Sequence, residues 1–79
     1  MPRPDEEATR HRLREEIVEA LEQLPPEQRE VFVKHELEGM SFEQIAAESG
    51  VNVNTLLARK RYAVRFLRDY LKEVYDALE

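Results

Sequence analysis

The chain has 79 residues, a formal net charge of −5 and no cysteine. This length fits one small domain, and the lack of cysteine excludes disulfides and thiolate metal sites. The first residues, MPRPDEEATRH, contain no apolar run, which argues against a signal peptide or a membrane span and favours a cytoplasmic protein. We expect residues 1–4 to be disordered and residues 5–79 to form the domain.

Apolar residues recur at intervals of three and four, and no segment alternates with period two, so the sequence predicts an all-α fold of four helices. The first helix is predicted from about Asp5, as its N-cap, to Gln23. Pro25 and Pro26 end it, because proline lacks an N–H group and restricts the residue before it. Its inward stripe is Leu13, Ile17, Ala20, Leu21 and Leu24.

The second helix is predicted to start at Pro26, since proline is favoured at the first helical position, and to run to about Glu38. Gly39 then supplies a left-handed backbone that ends the helix. Its apolar face is expected to present Val31, Phe32 and Leu37.

The third helix opens at Ser41, and Gln44 three residues later completes a capping box. Met40 before the cap and Ile45 in the helix can form a hydrophobic staple. Gly50 is predicted to end this helix with a positive φ, which directs the chain into a tight turn.

The fourth helix is predicted to begin after the N-cap Asn52 and to run about 26 residues, roughly 40 Å. Together with the third helix it has the layout of a C-terminal helix-turn-helix, with the long last helix as the recognition helix. Its inner face is expected to carry Leu56, Ala63, Leu67, Leu71, Val74 and Leu78, supplemented by Val53 and Val64.

The charge is distributed unevenly along the chain. Residues 1–50 carry six basic and thirteen acidic side chains, a net charge of −7, whereas residues 51–79 carry a net charge of +2. All six basic residues of the second part lie between Arg59 and Lys72. Because a local patch sets the potential that a phosphate backbone meets, this distribution favours DNA binding by the fourth helix.

Three runs resemble region four of bacterial sigma factors of the sigma-70 family, most closely the extracytoplasmic-function type: LPPEQREVF (24–32), ELEGMSFEQIA (36–46) and GVNVNT (50–55). The resemblance covers about residues 16–71. It implies a DNA-binding domain for transcription initiation, whose last helix recognises the minus-35 promoter element and which docks on the β flap of RNA polymerase. It also implies anti-sigma factors as possible partners. Region two of such factors would have to lie elsewhere, so an excised domain and a stand-alone relative both stay open.

The resemblance also implies which residues contact DNA. It puts Leu57, Ala58, Arg61 and Tyr62 on the base-facing surface, and Thr55 and Arg59 nearer the DNA backbone. Arg65 lies in the same early turns of the helix. Leu57 and Ala58 replace a polar pair of the family pattern, so specificity is expected to depend on Arg59, Arg61 and Tyr62. Lys34 and Lys60 also depart from the pattern, because the family usually has apolar residues there.

Neither histidine, His11 or His35, has partners at metal-ligand spacing, and no catalytic triad or phosphate-binding loop is present. We therefore expect neither enzyme activity, nor a cofactor, nor a metal. Two other interpretations stay open. One is a protein-interaction module, binding polymerase or an anti-sigma factor without independent DNA binding. The other is a response-regulator type of helix-turn-helix, which would bind a palindromic site as an isologous dimer.

Overall fold

The computed structural model describes the backbone of residues 4–78 and the side chains of residues 8, 10–73 and 76, and most of these residues are helical. In chain order these residues form α1 (Pro4–Gln23), α2 (Pro26–Phe32), a π-helical segment (Val33–Leu37), α3 (Phe42–Ser49) and α4 (Val53–Leu78). The predicted all-α class with four helices is confirmed. The predicted disorder of residues 1–4 falls, apart from Pro4, outside the described residues.

Prolines determine both ends of α1. The helix includes Pro4, so Asp5 lies within its first turn and is not the predicted N-cap; proline is well suited to a first turn, where an N–H group has no helical partner. At the other end, Pro25 adopts φ −54° and ψ 145°, outside the helical region. A guanidinium N–H of Arg29 donates to the carbonyl of Leu24 at 3.2 Å, which satisfies one backbone acceptor beyond α1.

The second predicted helix does not stay α-helical to its end. From Val33 it widens into a π-helical turn, in which the N–H of Glu38 donates to the carbonyl of Val33 at 3.0 Å. Gly39 then ends it with φ 72°, as predicted. Because the wider turn changes the rotation from one residue to the next, Leu37 is 66% exposed, and the prediction that it lies on the inward face is wrong. Val31 is buried as predicted.

The predicted caps of the helix-turn-helix are confirmed. The Ser41 hydroxyl accepts the N–H of Gln44 at 3.0 Å, and the Gln44 side chain accepts the N–H of Ser41 at 2.8 Å. Gly50 ends α3 with φ 75°. The Asn52 side chain then accepts the N–H of Asn54 at 2.7 Å at the start of α4. These local interactions fix both ends of α3 and the start of α4.

Two core clusters hold the helices together. The first core cluster joins α1 to the middle of α4 and consists of Ala20, Leu21, Leu24, Ala63 and Leu67, with Ile17, Phe32, Phe66 and Tyr70 packed against it. The second core cluster joins α2, α3 and the start of α4 and consists of Val31, Ile45 and Leu56, with Met40, Phe42, Ala46 and Val51 packed against it. Full burial of such a side chain contributes ~1.5–3 kcal/mol. Helix α4 therefore runs through both clusters.

Most residues predicted to face inward do so. Leu13, Val53, Val64 and Leu71 are half-buried, while the side chains of Val74 and Leu78 lie outside the described residues. Tyr70 rests against the first core cluster. Its burial raises the pKa of its phenol above the ordinary value, and the carboxylates of Glu16 and Glu19 act in the same direction.

Candidate nucleic-acid interface

A shallow depression opens on one face of α4 in the first turns of the helix. It is lined by Ala58, Arg61, Tyr62 and Arg65 and has a volume of about 160 Å³. Spacings of three and four residues place these side chains on one side of a helix. The two arginines are exposed, and Tyr62 is 59% exposed. One surface thus combines the apolar side chain of Ala58, the ring of Tyr62 and the guanidinium groups of Arg61 and Arg65.

The other predicted DNA contacts lie around this depression rather than in it. Thr55 is exposed, Leu57 is 38% exposed and Arg59 is half-buried. Since consecutive residues of an α-helix are separated by roughly a quarter turn or more, Leu57 and Arg59 lie on opposite flanks of the face centred on Ala58. The structure therefore brings four of the seven predicted site residues together and leaves the other three at the edges.

Lys60 is turned away from this face, although it lies between two arginines of the basic stretch. Its Nζ forms an ion pair with Glu36 of the π-helical segment, and its side chain is only 14% exposed. The ammonium group of Lys60 holds the pKa of the Glu36 carboxyl below its ordinary value, chiefly through this hydrogen bond. Lys60 thus belongs to the body of the domain, which the sequence pattern did not predict.

Lys34 is also used within the domain. Its Nζ lies 2.5 Å from Glu48 of α3 and 3.0 Å from Glu30 of α2. Hydrogen bonds to these two carboxylates, first Glu48 and then Glu30, raise the pKa of Lys34 above its ordinary value. The two lysines that depart from the apolar family pattern are therefore both matched by acids from other elements. A charge at an expected apolar position was the signal in the sequence, but the partners were not identifiable from it.

The cationic side chains of the helix-turn-helix begin only at Arg59. Residues 35–58 contain no lysine or arginine but four glutamates, at positions 36, 38, 43 and 48. Glu43, Gln44 and Glu48 of α3 are exposed. Within the helix-turn-helix, the electrostatic attraction for an anionic ligand is therefore confined to α4.

The two histidines have structural partners. Nε2 of His11 lies 2.9 Å from Glu15, one turn further along α1. Nδ1 of His35 lies 2.9 Å from the carbonyl oxygen of Met40. Within the part of the chain that the structure describes, no three histidine, aspartate or glutamate side chains are grouped as a metal site would require. No described helix has the length and apolar character that a membrane span needs.

The pattern of capped helices and the basic face of α4 have a counterpart among known proteins. Residues 14–67 match the family described as "Sigma-70, region 4". The chain belongs to this family. Its helix-turn-helix is thus that of a sigma-70 region 4 domain, and the response-regulator interpretation is not supported.

Two relatives agree with this assignment. The chain is 39% identical over 70 residues, 89% of its length, to the "ECF RNA polymerase sigma factor SigE" of Mycolicibacterium smegmatis. It is 37% identical over 62 residues, 78% of its length, to the "RNA polymerase sigma factor CarQ" of Myxococcus xanthus. The match spans 27% of the first relative and 36% of the second. The similarity therefore concerns one domain of each relative.

Proposed function

We propose that this sigma factor domain recognises the minus-35 promoter element through α4 and docks on the β flap of RNA polymerase during transcription initiation. The observation that carries the proposal is the convergence of Ala58, Arg61, Tyr62 and Arg65 on the exposed face of α4. In a helix-turn-helix, the first turns of the second helix reach the base edges in the major groove. The family assignment supports this role.

The chemistry of the face suggests how the contacts are divided. Arg61 can donate two hydrogen bonds to O6 and N7 of guanine, a contact worth ~1–3 kcal/mol of discrimination between bases. Leu57 and Ala58, which are apolar, can contact thymine methyl groups. Thr55 and Arg59 lie at the edges of the face, where contact with phosphates fixes the position of a protein on the duplex.

An apolar groove on another side of α4 supports the polymerase partner. It has a volume of about 240 Å³ and is lined by Ile17, Phe32, Val64, Leu67, Arg68 and Leu71. Such grooves bind the apolar face of an amphipathic helix. The flap of the β subunit would occupy this groove while DNA occupies the basic face, and an anti-sigma factor would compete for the same domain. Both partners imply a cytoplasmic location.

The DNA part of the proposal is tested by selecting duplexes from a randomised pool on the immobilised domain. Fluorescence anisotropy then compares an enriched duplex with its scrambled version at about 50 and 200 mM salt. We expect the enriched duplex to bind more tightly, with a log–log salt slope of about −2 to −4 if two to four arginines neutralise phosphates. Equal affinity for the enriched and scrambled duplexes, unchanged by salt, would contradict the proposal.

The polymerase part is tested by capture of purified core RNA polymerase on the same immobilised domain. Val64→Asp places a charge in the groove and should abolish capture. Val18→Asp is the matched control, because Val18 is an exposed valine of α1 that does not line the groove. Equal capture by both variants would show that the groove is not the docking surface.

A second function is favoured by the charges of α3. Since residues 35–58 supply no lysine or arginine, DNA would be held by one helix alone. The domain could then act as a protein-interaction module that contacts promoter DNA only as part of an assembled polymerase. Binding to core polymerase together with failure to enrich any duplex would favour this alternative.

A further inference from the structure

The side chain of Lys60 joins the three elements of the helix-turn-helix region. It leaves α4 between two arginines, and its Nζ pairs with Glu36 of the π-helical segment. The same ammonium group lies 5.7 Å from the centroid of the Phe42 ring, at the start of α3. The Phe42 ring in turn stacks on His35, with the centroids 4.0 Å apart. A cation over an aromatic face is attracted by the ring quadrupole, so Lys60 has two separate anchors.

A second ion-paired lysine reinforces this arrangement. Lys34, on the π-helical segment, reaches Glu48 near the end of α3 at 2.5 Å. Lys60 thus connects α4 to the π-helical segment, and Lys34 connects that segment to α3. Both lysines are largely covered by the domain, with 14% and 18% of their side chains exposed. The orientations of α3 and α4 are each fixed against the same short segment.

We propose that Lys60 is a positioning residue for DNA recognition, and that its pair with Glu36 sets the rotation of α4 that presents Arg61 and Tyr62 to the major groove. The proposal rests on the proposed function. A side chain on one flank of a helix resists rotation about the helix axis when its far end is held. Because a full turn contains only 3.6 residues, a modest rotation would move Arg61 out of line with a base edge.

Two other roles for Lys60 make different predictions. If Lys60 contacted a phosphate directly, its removal would reduce the magnitude of the salt slope by about 0.9. If Glu36 were only an acid near the DNA, its neutralisation would strengthen binding, because it would remove a repulsion. If the pair positions α4, removal of either partner should weaken binding to the enriched duplex and leave the salt slope unchanged.

The test compares Lys60→Met, Glu36→Gln and the conservative Lys60→Arg, with Lys72→Met as the control for loss of one cation from an exposed position on the same helix. Circular dichroism at the binding temperature confirms that each variant is folded. We expect Lys60→Met and Glu36→Gln each to reduce the preference for the enriched over the scrambled duplex about threefold or more, with the wild-type salt slope. Lys60→Arg should keep most of the preference. Lys72→Met should leave it unchanged.

Amide spectra of the free domain give a second readout. Lys60→Met and Glu36→Gln should displace a common set of signals in residues 57–65, because both release the same contact. Tighter binding by Glu36→Gln, or a shallower salt slope for Lys60→Met, would overturn the inference. A wild-type domain that binds no duplex would contradict the proposed function and this inference together. Selective wild-type binding with an unaltered Glu36→Gln variant would contradict this inference alone.

Discussion

Phe42, the first residue of α3, stacks on His35 of the π-helical segment, with 4.0 Å between ring centroids and 21° between ring planes. Phe42 also packs against the second core cluster. Its ring therefore fills the space between α3 and the π-helical segment. It contacts His35 of that segment and the apolar side chains of the second core cluster. The stacking partner is seven residues away along the chain but belongs to another element.

Replacing Phe42 with alanine should lower the free energy of unfolding by about 2 kcal/mol, less than for a fully buried phenylalanine because Phe42 is half-buried. Phe42→Leu keeps most of the apolar volume but loses the stacking on His35 and the contact of the ring with the Lys60 ammonium group, so about 1 kcal/mol is expected. Urea denaturation followed by circular dichroism measures both values. Equal losses would mean that the interactions of the aromatic ring, with His35 and with Lys60, contribute the whole effect.

Two leucines provide a matched test of the core. Leu56 is 1% exposed in the second core cluster, whereas Leu37 is 66% exposed on the π-helical segment. We expect Leu56→Ala to cost ~2–5 kcal/mol and Leu37→Ala to change the stability by less than ~0.5 kcal/mol. Urea denaturation of the two variants gives the comparison. A large loss for Leu37→Ala would contradict its exposed position.

The N-cap of α3 can be tested with two substitutions of one residue. Ser41→Ala removes the hydroxyl that accepts the N–H of Gln44, and should cost about 1 kcal/mol. Ser41→Gly should cost only a few tenths of a kcal/mol, because glycine is tolerated at this position. Thermal denaturation in one buffer ranks the variants. Equal midpoints for the wild type and Ser41→Ala would show that the side-chain cap contributes little.

The pair of Glu36 with Lys60 should make stability depend on pH. The folded domain holds the pKa of Glu36 below its ordinary value of 4.5. The stabilisation from this pair is therefore fully present above about pH 4.5 and is lost as the pH falls through the folded pKa. Thermal midpoints of wild type and Glu36→Gln should differ at pH 7, and the difference should shrink as the pH falls below about 4.5.

The exposed Glu38, two residues further along, supplies the control for this pH dependence. Glu38 makes none of the ion pairs found among the described side chains. The difference between wild type and Glu38→Gln should not show the same convergence. A difference between wild type and Glu36→Gln that does not shrink as the pH falls below about 4.5 would argue against the ion pair.

Two arginines of α4 should have different effects on DNA binding. Arg61→Ala should relax specificity at one base pair of the selected site, with a loss of ~1–3 kcal/mol for the preferred base. Arg59→Ala should weaken all duplexes alike and reduce the magnitude of the salt slope by about 0.9. Anisotropy titrations against single-base variants of the enriched duplex separate the two effects. Identical profiles for both variants would remove the proposed division between base and phosphate contacts.

The sequence predicted the parts of the fold that depend on neighbouring residues. Pro25 and Pro26, the capping box of Ser41 and Gln44, and the positive φ of Gly50 each act within a few positions of the chain. Their backbone requirements can therefore be deduced from residue type alone. The helical spacing of the apolar residues likewise predicted most of both core clusters.

The sequence did not predict the π-helical segment or the partners of the two lysines. Lys60 pairs with Glu36 24 positions away, and Lys34 pairs with Glu48 14 positions away. The choice of acid for each lysine depends on the angles at which the helices cross. The spacing of apolar residues in the sequence does not reveal these angles. The outward position of Leu37 has the same origin, because one wide turn shifts the faces of the residues that follow it.

The second core cluster draws none of its described members from α1. The apolar contacts that define the helix-turn-helix would therefore survive if α1 separated from α4, whereas the first core cluster would be exposed. Amide hydrogens of α1 should then exchange through openings that leave those of α3 protected. The domain thus has two regions that can open separately, one at α1 and one at the helix-turn-helix.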